Sequence, residues 1–250
     1  MRVALISDIH GNLVSFDAVL EDISRQDINE IIFLGDIATL GPYPGESVAK
    51  LKELGCPCIM GNHETYLFKP TLGHAYMRGT RWFTDTLTWC RAQLSPKDYK
   101  FLKTFEPIMK FSLGDGVSLI CYHGSPRSNV ENIFATTPAE QVEEMLNGYQ
   151  ATVMAGGHTH VQMMRQHKGL MIVNAGSVGM PFAEMPFDGP GPRVMPWAEY
   201  GIINAEDGVA SVELRRVMID VQKVKEAALA SEMPEPTDWL SNWERMNTMG

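Results

Sequence analysis

The chain has 250 residues, 44% of them hydrophobic and 20% charged, with a formal net charge of -9 at pH 7. That length and mix suit one soluble α/β domain with a sizeable core. The acidic balance argues against a broad nucleic-acid surface, yet admits a small phosphorylated substrate where metal ions supply local positive charge.

Cys56, Cys58, Cys90 and Cys121 have neither thioredoxin nor zinc-knuckle spacing, and Cys58 and Cys121 sit in apolar runs as small hydrophobes. There is no signal-peptide pattern, and no run approaches the roughly 18 apolar residues of a membrane span. The expectation is a reduced, cytoplasmic protein without membrane association.

Val3 to Ile6 reads as a buried strand that ends in Ser7-Asp8-Ile9-His10-Gly11-Asn12. If the chain leaves that strand still extended, Asp8 and His10 share a face. Leu13, Phe16, Val19, Leu20 and Ile23 fall at helical intervals. Glu30 to Leu34 is a second buried strand, ending in Gly35-Asp36. Ile37 to Gly45 reads as a loop and Ser47 to Leu54 as a helix stopped by Gly55. Pro57 to Met60 suggests a short third strand before Gly61-Asn62-His63-Glu64.

From Tyr66 to Glu106 the pattern turns helical. Thr80 to Leu94 forms one helix, and Ser95-Pro96 caps another. Pro107 to Leu113 and Val117 to Tyr122 flank Asp115-Gly116 as a hairpin that runs into His123-Gly124. Thr137-Pro138-Ala139-Glu140 has a capping-box pattern, with Gly148 as the stop. Ala151 to Ala155 is a strand ending in Gly156-Gly157-His158-Thr159-His160. Met163 to His167 and Leu170 to Val173 form a second hairpin. Pro181 to Pro196, with five prolines, reads as an irregular loop. Glu199 to Asn204 and Val209 to Val217 form a third hairpin, Val221 to Ala230 is a helix, and the segment from Pro234 is polar and proline-marked, with its end expected to be poorly ordered.

The strand ends collect Asp8, His10, Asp36, Asn62, His63, His123, His158 and His160, including five of the seven histidines. His74 and His167 lie elsewhere and read as surface or structural residues. Any one of these groups alone is more simply a cap or turn former. Together, at one sheet edge, they predict a ligand site beyond the carboxyl ends of the strands. Mixed imidazole, carboxylate and amide donors suit first-row divalent metals. Their number exceeds one tetrahedral zinc and suffices for two ions sharing a bridging carboxylate, an arrangement that clamps both oxygens of a phosphoryl displacement.

Asp8-x-His10, Gly35-Asp36, Gly61-Asn62-His63-Glu64, His123-Gly124 and Gly157-His158-Thr159-His160 resemble the five blocks of the calcineurin-like metallophosphoesterases, in order, over roughly Met1 to Gly179. The chain's size and Gly41-Pro42-Tyr43-Pro44 are most similar to the small bacterial and archaeal phosphodiesterase branch. The resemblance implies a four-layer α/β/β/α sandwich with the site at one sheet edge. It implies a metallophosphoesterase domain over residues 1–220 with a helical insertion near 66–106, followed by a helix and tail over 221–250. It assigns Asp8, His10 and His160 to a first metal, Asn62, His123 and His158 to a second, and Asp36 to the bridge. His63 would act on the leaving oxygen, and Glu64 would orient His63 or cap the following helix. The cofactors would be two divalent ions (Mn, Fe, Zn or Ni), supporting hydrolysis of a phosphodiester, phosphomonoester or nucleotide by metal-activated hydroxide.

A non-catalytic protein-interaction scaffold and a nuclease are the alternatives; no ligand is missing, which weighs against the scaffold. One departure stands out. Where many relatives carry a basic residue after the Asn174–Gly179 loop, this chain has Met180-Pro181-Phe182, leaving Arg193 as a substitute cation. Substrate choice would rest on 66–106 and 181–196, and the oligomeric state is not encoded in any readable pattern.

Overall fold

Val3 and Leu5 enter one apolar cluster, while Ala4 and Ile6 enter another. This alternation is the period of a strand buried on both faces. A computed structural model describes residues 1–76, 80–185 and 192–244. It places Arg2–Ile6 (β1) parallel to Glu30–Phe33 (β2) and antiparallel to Trp197–Glu206 (β8), which pairs with Val209–Met218 (β9). The first sheet therefore has the order β2-β1-β8-β9.

The second sheet joins Met109–Ser112 (β3), Ser118–Cys121 (β4), Val153–Gly156 (β5), Leu170–Asn174 (β7) and Met163–His167 (β6), in that spatial order. Its central three strands, β4, β5 and β7, are parallel and its two edges antiparallel.

The two sheets face each other. Val3, Leu5, Ile32 and Ile203 from the first pack with Leu119, Cys121, Val153 and Val173 from the second. The outer face of the first sheet is covered by Leu13–Ile23 (α1) and Pro44–Leu54 (α2), through Phe16, Val19, Val48 and Leu51. The outer face of the second is covered by Ala139–Leu146 (α7), through Val142 and Leu146. The result is the four-layer α/β/β/α sandwich. Four further helices, Asn62–Phe68 (α3), Pro70–Tyr76 (α4), Arg81–Ala92 (α5) and Pro96–Leu102 (α6), fill the helical segment. Ser95 caps α6 as expected, and Asp98 completes a reciprocal cap. Among the described residues no helix is long and apolar enough to cross a membrane.

Several local expectations change. Pro57–Met60 makes only isolated bridges, Cys58 to Phe33 and Ile59 to Glu106, because α3 begins at Asn62 and leaves no length for a ladder. α2 starts at Pro44, inside the expected loop, with the proline in the first turn where its missing N–H costs nothing. The capping box at Thr137 does not form: Pro138 is the N-cap, Thr137 instead accepts from Phe134 N, and left-handed Asn147, not Gly148, ends the helix.

After Pro234, Pro236–Glu244 (α9) buries Trp239 and Trp243 with Val224 and Ala228 of Val221–Ala230 (α8) and with Met180 and Val194, while the end expected to be poorly ordered, 245–250, lies outside the described residues. The loop over 181–196 carries one antiparallel bridge, Phe182 to Val194, and its remainder at 186–191 lies outside the described residues.

Candidate metal centre

Asp8 and His10 do not leave β1 in an extended conformation. Their φ values are 54° and 50°, and Asp36, His158 and His160 have φ of 69°, 69° and 57°. Five left-handed non-glycine residues, at a strain of order 1–3 kcal/mol each, need surroundings that hold them. The backbone supplies those surroundings. Asp8 N donates to Gly35 O (2.9 Å), His10 N to Asp36 O (3.0 Å), and Gly179 N and Ser177 Oγ both donate to Asp8 O (3.0 and 2.7 Å).

The contributing segments also come from two sheets rather than one. Asp8 and Asp36 follow β1 and β2 of the first, while His123 and His158 follow β4 and β5 of the second. Asn62 and His63 ride the first turn of α3 instead of a strand end. The site thus sits across the mouth of the sandwich.

All eight predicted residues come together there. His160 Nε2 lies 3.3 Å from Asp8 Oδ1 and 3.1 Å from His10 Nε2. His123 Nε2 lies 3.3 Å from Asp36 Oδ2 and 2.8 Å from Asn62 Oδ1. Asp8, His10 and His160 form one buried group of convergent donors, and Asp36, His123 and His158 another. Asp36 also groups with His10 and His63, so its carboxylate stands between the two sets.

Two glycines make room for this crowding. A Cβ at Gly157 would sit 1.9 Å from Ser7 Oγ and 2.5 Å from Asp8 Oδ2, and one at Gly61 would sit 2.1 Å from Asp36 Oδ1.

The chemistry of the donors bears on whether cations fit. Nδ1 of His123 donates to the Leu34 carbonyl (2.7 Å) and Nδ1 of His160 to the Met180 carbonyl (2.7 Å). A carbonyl accepts only, so in each neutral ring the lone pair lies on Nε2. Nε2 of His123 faces Asp36 Oδ2 and Asn62 Oδ1, Nε2 of His160 faces Asp8 Oδ1 and His10 Nε2, and Asp8 Oδ1 and His158 Nε2 are buried with no hydrogen-bond partner. With these rings neutral, the acceptors converge with no hydrogen between them, an arrangement that divalent cations fit.

Charge balance points the same way. Burial alone would raise the Asp8 carboxyl, but His160 and His123 outweigh it and hold it at about 2. Burial and the neighbouring His123 push His158 down to about 3, and burial with His63 and His160 keeps His10 well below its usual value. Burial opposes protonation of His123, but the Asp36 carboxylate overrides it and raises His123 to about 10. The buried carboxylates therefore demand positive charge.

Glu64 holds the backbone rather than His63. Its carboxylate accepts from Asp36 N (2.8 Å), Ile37 N (2.8 Å) and Gly61 N (2.9 Å), so it caps α3 and fixes the Asp36 turn at once. The partner of His63 is Thr39, whose Oγ1 lies 2.6 Å from His63 Nδ1 and 3.3 Å from His10 Nδ1. Sequence reasoning missed Thr39. Its one signal was its place three residues after Asp36, in a loop rich in glycine and proline.

Asn12, which reads from sequence only as a turn former, caps α1 by accepting from Ser15 N and donates to Gly179 O (2.9 Å). It ties the first turn to the loop after β7. Arg193 pairs with Glu184 at 3.5 Å. His167 is buried against Glu143 at 2.9 Å.

Known proteins share this architecture. A metallophosphoesterase structure from Sphaerobacter thermophilus superimposes with a TM-score of 0.73 at 24% identity, covering 97% of this chain and 100% of that one. A hypothetical protein from Pyrococcus horikoshii gives a TM-score of 0.78 at 18% identity, with 96% of each chain covered. An uncharacterized protein from Methanocaldococcus jannaschii is 27% identical over 244 residues, 95% of each chain. The domain model of the calcineurin-like phosphoesterase superfamily matches residues 1–188.

Proposed function

Because the chain belongs to the calcineurin-like phosphoesterase superfamily, we propose that it is a dinuclear metal-dependent phosphoesterase whose substrate is a small phosphodiester. The observation that carries this reading is the pair of buried donor groups meeting at Asp36. Asp8, His10 and His160 would hold one ion, Asn62, His123 and His158 the other, and Asp36 both. First-row divalent ions (Mn, Fe, Zn or Ni) suit this donor set. When bound, they supply Lewis acidity to a phosphoryl oxygen and lower the pKa of water.

The chain's own residues do the rest. The hydrogen-bonded Nδ1 atoms of His123 and His160 fix which ring nitrogen faces the centre. The Glu64 carboxylate locks the turn that presents Asp36. His63 lines the cavity beside the donor groups, with Nε2 4.0 Å from Asp36 Oδ2. It hands a proton to the departing alkoxide, a task suited to an imidazole.

The test is hydrolysis of bis(p-nitrophenyl) phosphate by the full chain in Mn²⁺. Asp36→Asn should abolish turnover, and with an alkyl diester, whose alkoxide needs the proton, His63→Ala should lower kcat by about 10²–10⁴-fold, the range for loss of a general acid. Absence of metal-dependent turnover on both monoester and diester panels would overturn the reading.

A further inference from the structure

The cavity that exposes the donor groups has a second wall of different chemistry. It measures about 260 Å³, and Leu40, Trp82, Phe83, Met180, Phe182 and Met185 form an apolar part of its lining beside His63, His158 and His160. Resting on the phosphoesterase reading, we propose that this wall receives the organic group of the substrate and selects an aryl or similarly flat, apolar group.

The wall is built into the site rather than laid over it. Phe182 stacks on the His160 ring at 4.3 Å with planes 18° apart, and its N–H donates to the His160 carbonyl (2.9 Å). Phe83 meets His63 edge-on at 5.8 Å. Met180 accepts from His160 Nδ1 and donates to Ser177 Oγ (2.8 Å). The loop after β7 thus places Met180 and Phe182 beside the donor groups. Walls held this way are preorganised, so a planar guest meets fixed ring faces at little ordering cost.

Size agrees with chemistry. Pockets for drug-sized ligands run to about 300–1,000 Å³, so at about 260 Å³ this cavity has room for one ring system beside a phosphoryl group. Trp82 and Phe83 come from α5, which gives the helical segment a role in recognition as well as in the core.

The experiment uses two phosphonates, each with a single organic group. Binding of methylphosphonate and of benzylphosphonate to the Mn²⁺-loaded full chain is measured by calorimetry. Benzylphosphonate should bind at least about tenfold tighter, the lower end of what one methylene gives in an apolar pocket. Trp82→Ala should collapse the ratio. Met185→Lys, at a partly exposed position that folding tolerates, should collapse it as well. Equal binding of the two phosphonates, or a ratio that survives in both variants, would overturn the inference while leaving the phosphoesterase reading in place. Failure of both phosphonates to bind would remove the phosphoesterase reading as well.

Discussion

Thr39 shows how much of this site depends on a single hydroxyl. For Nε2 of His10 to face a cation, its Nδ1 must carry the proton and donate to Thr39 Oγ1. The Thr39 hydroxyl then donates to Nδ1 of His63, which leaves the proton of neutral His63 on Nε2, inside the cavity. One side chain thereby sets both tautomers. Thr39→Val should lower kcat by about 10–100-fold with KM little changed, and Thr39→Ser should restore it, since second-shell partners carry effects of that size. A valine variant with wild-type kcat would refute the relay.

At this scale the sequence was informative where chemistry is rare and silent where it is common. Asp8, His10, Asp36 and the His158/His160 pair stood out because metal-competent side chains beside glycine are infrequent. A threonine in a loop is ordinary. The left-handed backbone at Asp8 and His10 was also unreadable, because it is imposed by hydrogen bonds from segments more than 25 residues away in the chain, such as Gly35 and Gly179.

Among the elements, α1 is pinned to the first sheet by a charged contact. Asp22 accepts from Tyr200 Oη (2.6 Å) on β8 and from Arg215 Nε (3.1 Å) on β9. Burial would raise the Asp22 carboxyl, but these two donors pull it below its usual value. A lowered carboxyl pKa stabilises the fold above the unfolded value of about 3.9, and that contribution fades as pH falls through the lower folded value. Asp22→Ala should therefore cost about 1.5 kcal/mol at pH 7, the low end for a charged hydrogen bond because solvent reaches the pair. Thermal melts should show the wild-type advantage narrowing from pH 5 to pH 3.

α9 makes a larger contribution. Trp239 is fully buried, and Trp239→Ala should cost about 3–5 kcal/mol in denaturant unfolding. The strands and α1 were legible because periods of 2 and 3.6 show directly in the residues. α9 was not, because its first turn is polar and proline-marked and only the i, i+4 spacing of Trp239 and Trp243 hinted at a buried face. The short segment 57–60 failed in the opposite direction: apolar and β-prone, it had too few residues to pair as a strand.

Across the whole molecule, the two-sheet core and the site are one construction. The parallel strands β1 and β2 of one sheet and β4 and β5 of the other end at the same mouth, so neither sheet alone holds a complete donor set. Reading the chain as strand ends along a single sheet edge located the residues but not this division, because strand order across sheets depends on long-range pairing such as β1 with β8.

Cations that draw the two sheets' carboxylates and imidazoles together should also stabilise the fold. Ions present at about 1,000 times their Kd contribute about 4 kcal/mol per site, so chelation should lower Tm by roughly 8–16 °C for each ion removed from a chain of this size. A melting curve unchanged by chelator would count against the site.

The most direct test of the account is the metal content of the full chain after reconstitution with Mn²⁺ and removal of free ion. Two donor groups meeting at Asp36 predict two equivalents per chain in the wild type, with Asp36→Ala retaining fewer. Saturation of the wild type at a single equivalent would contradict the shared-carboxylate centre on which the proposed hydrolysis rests.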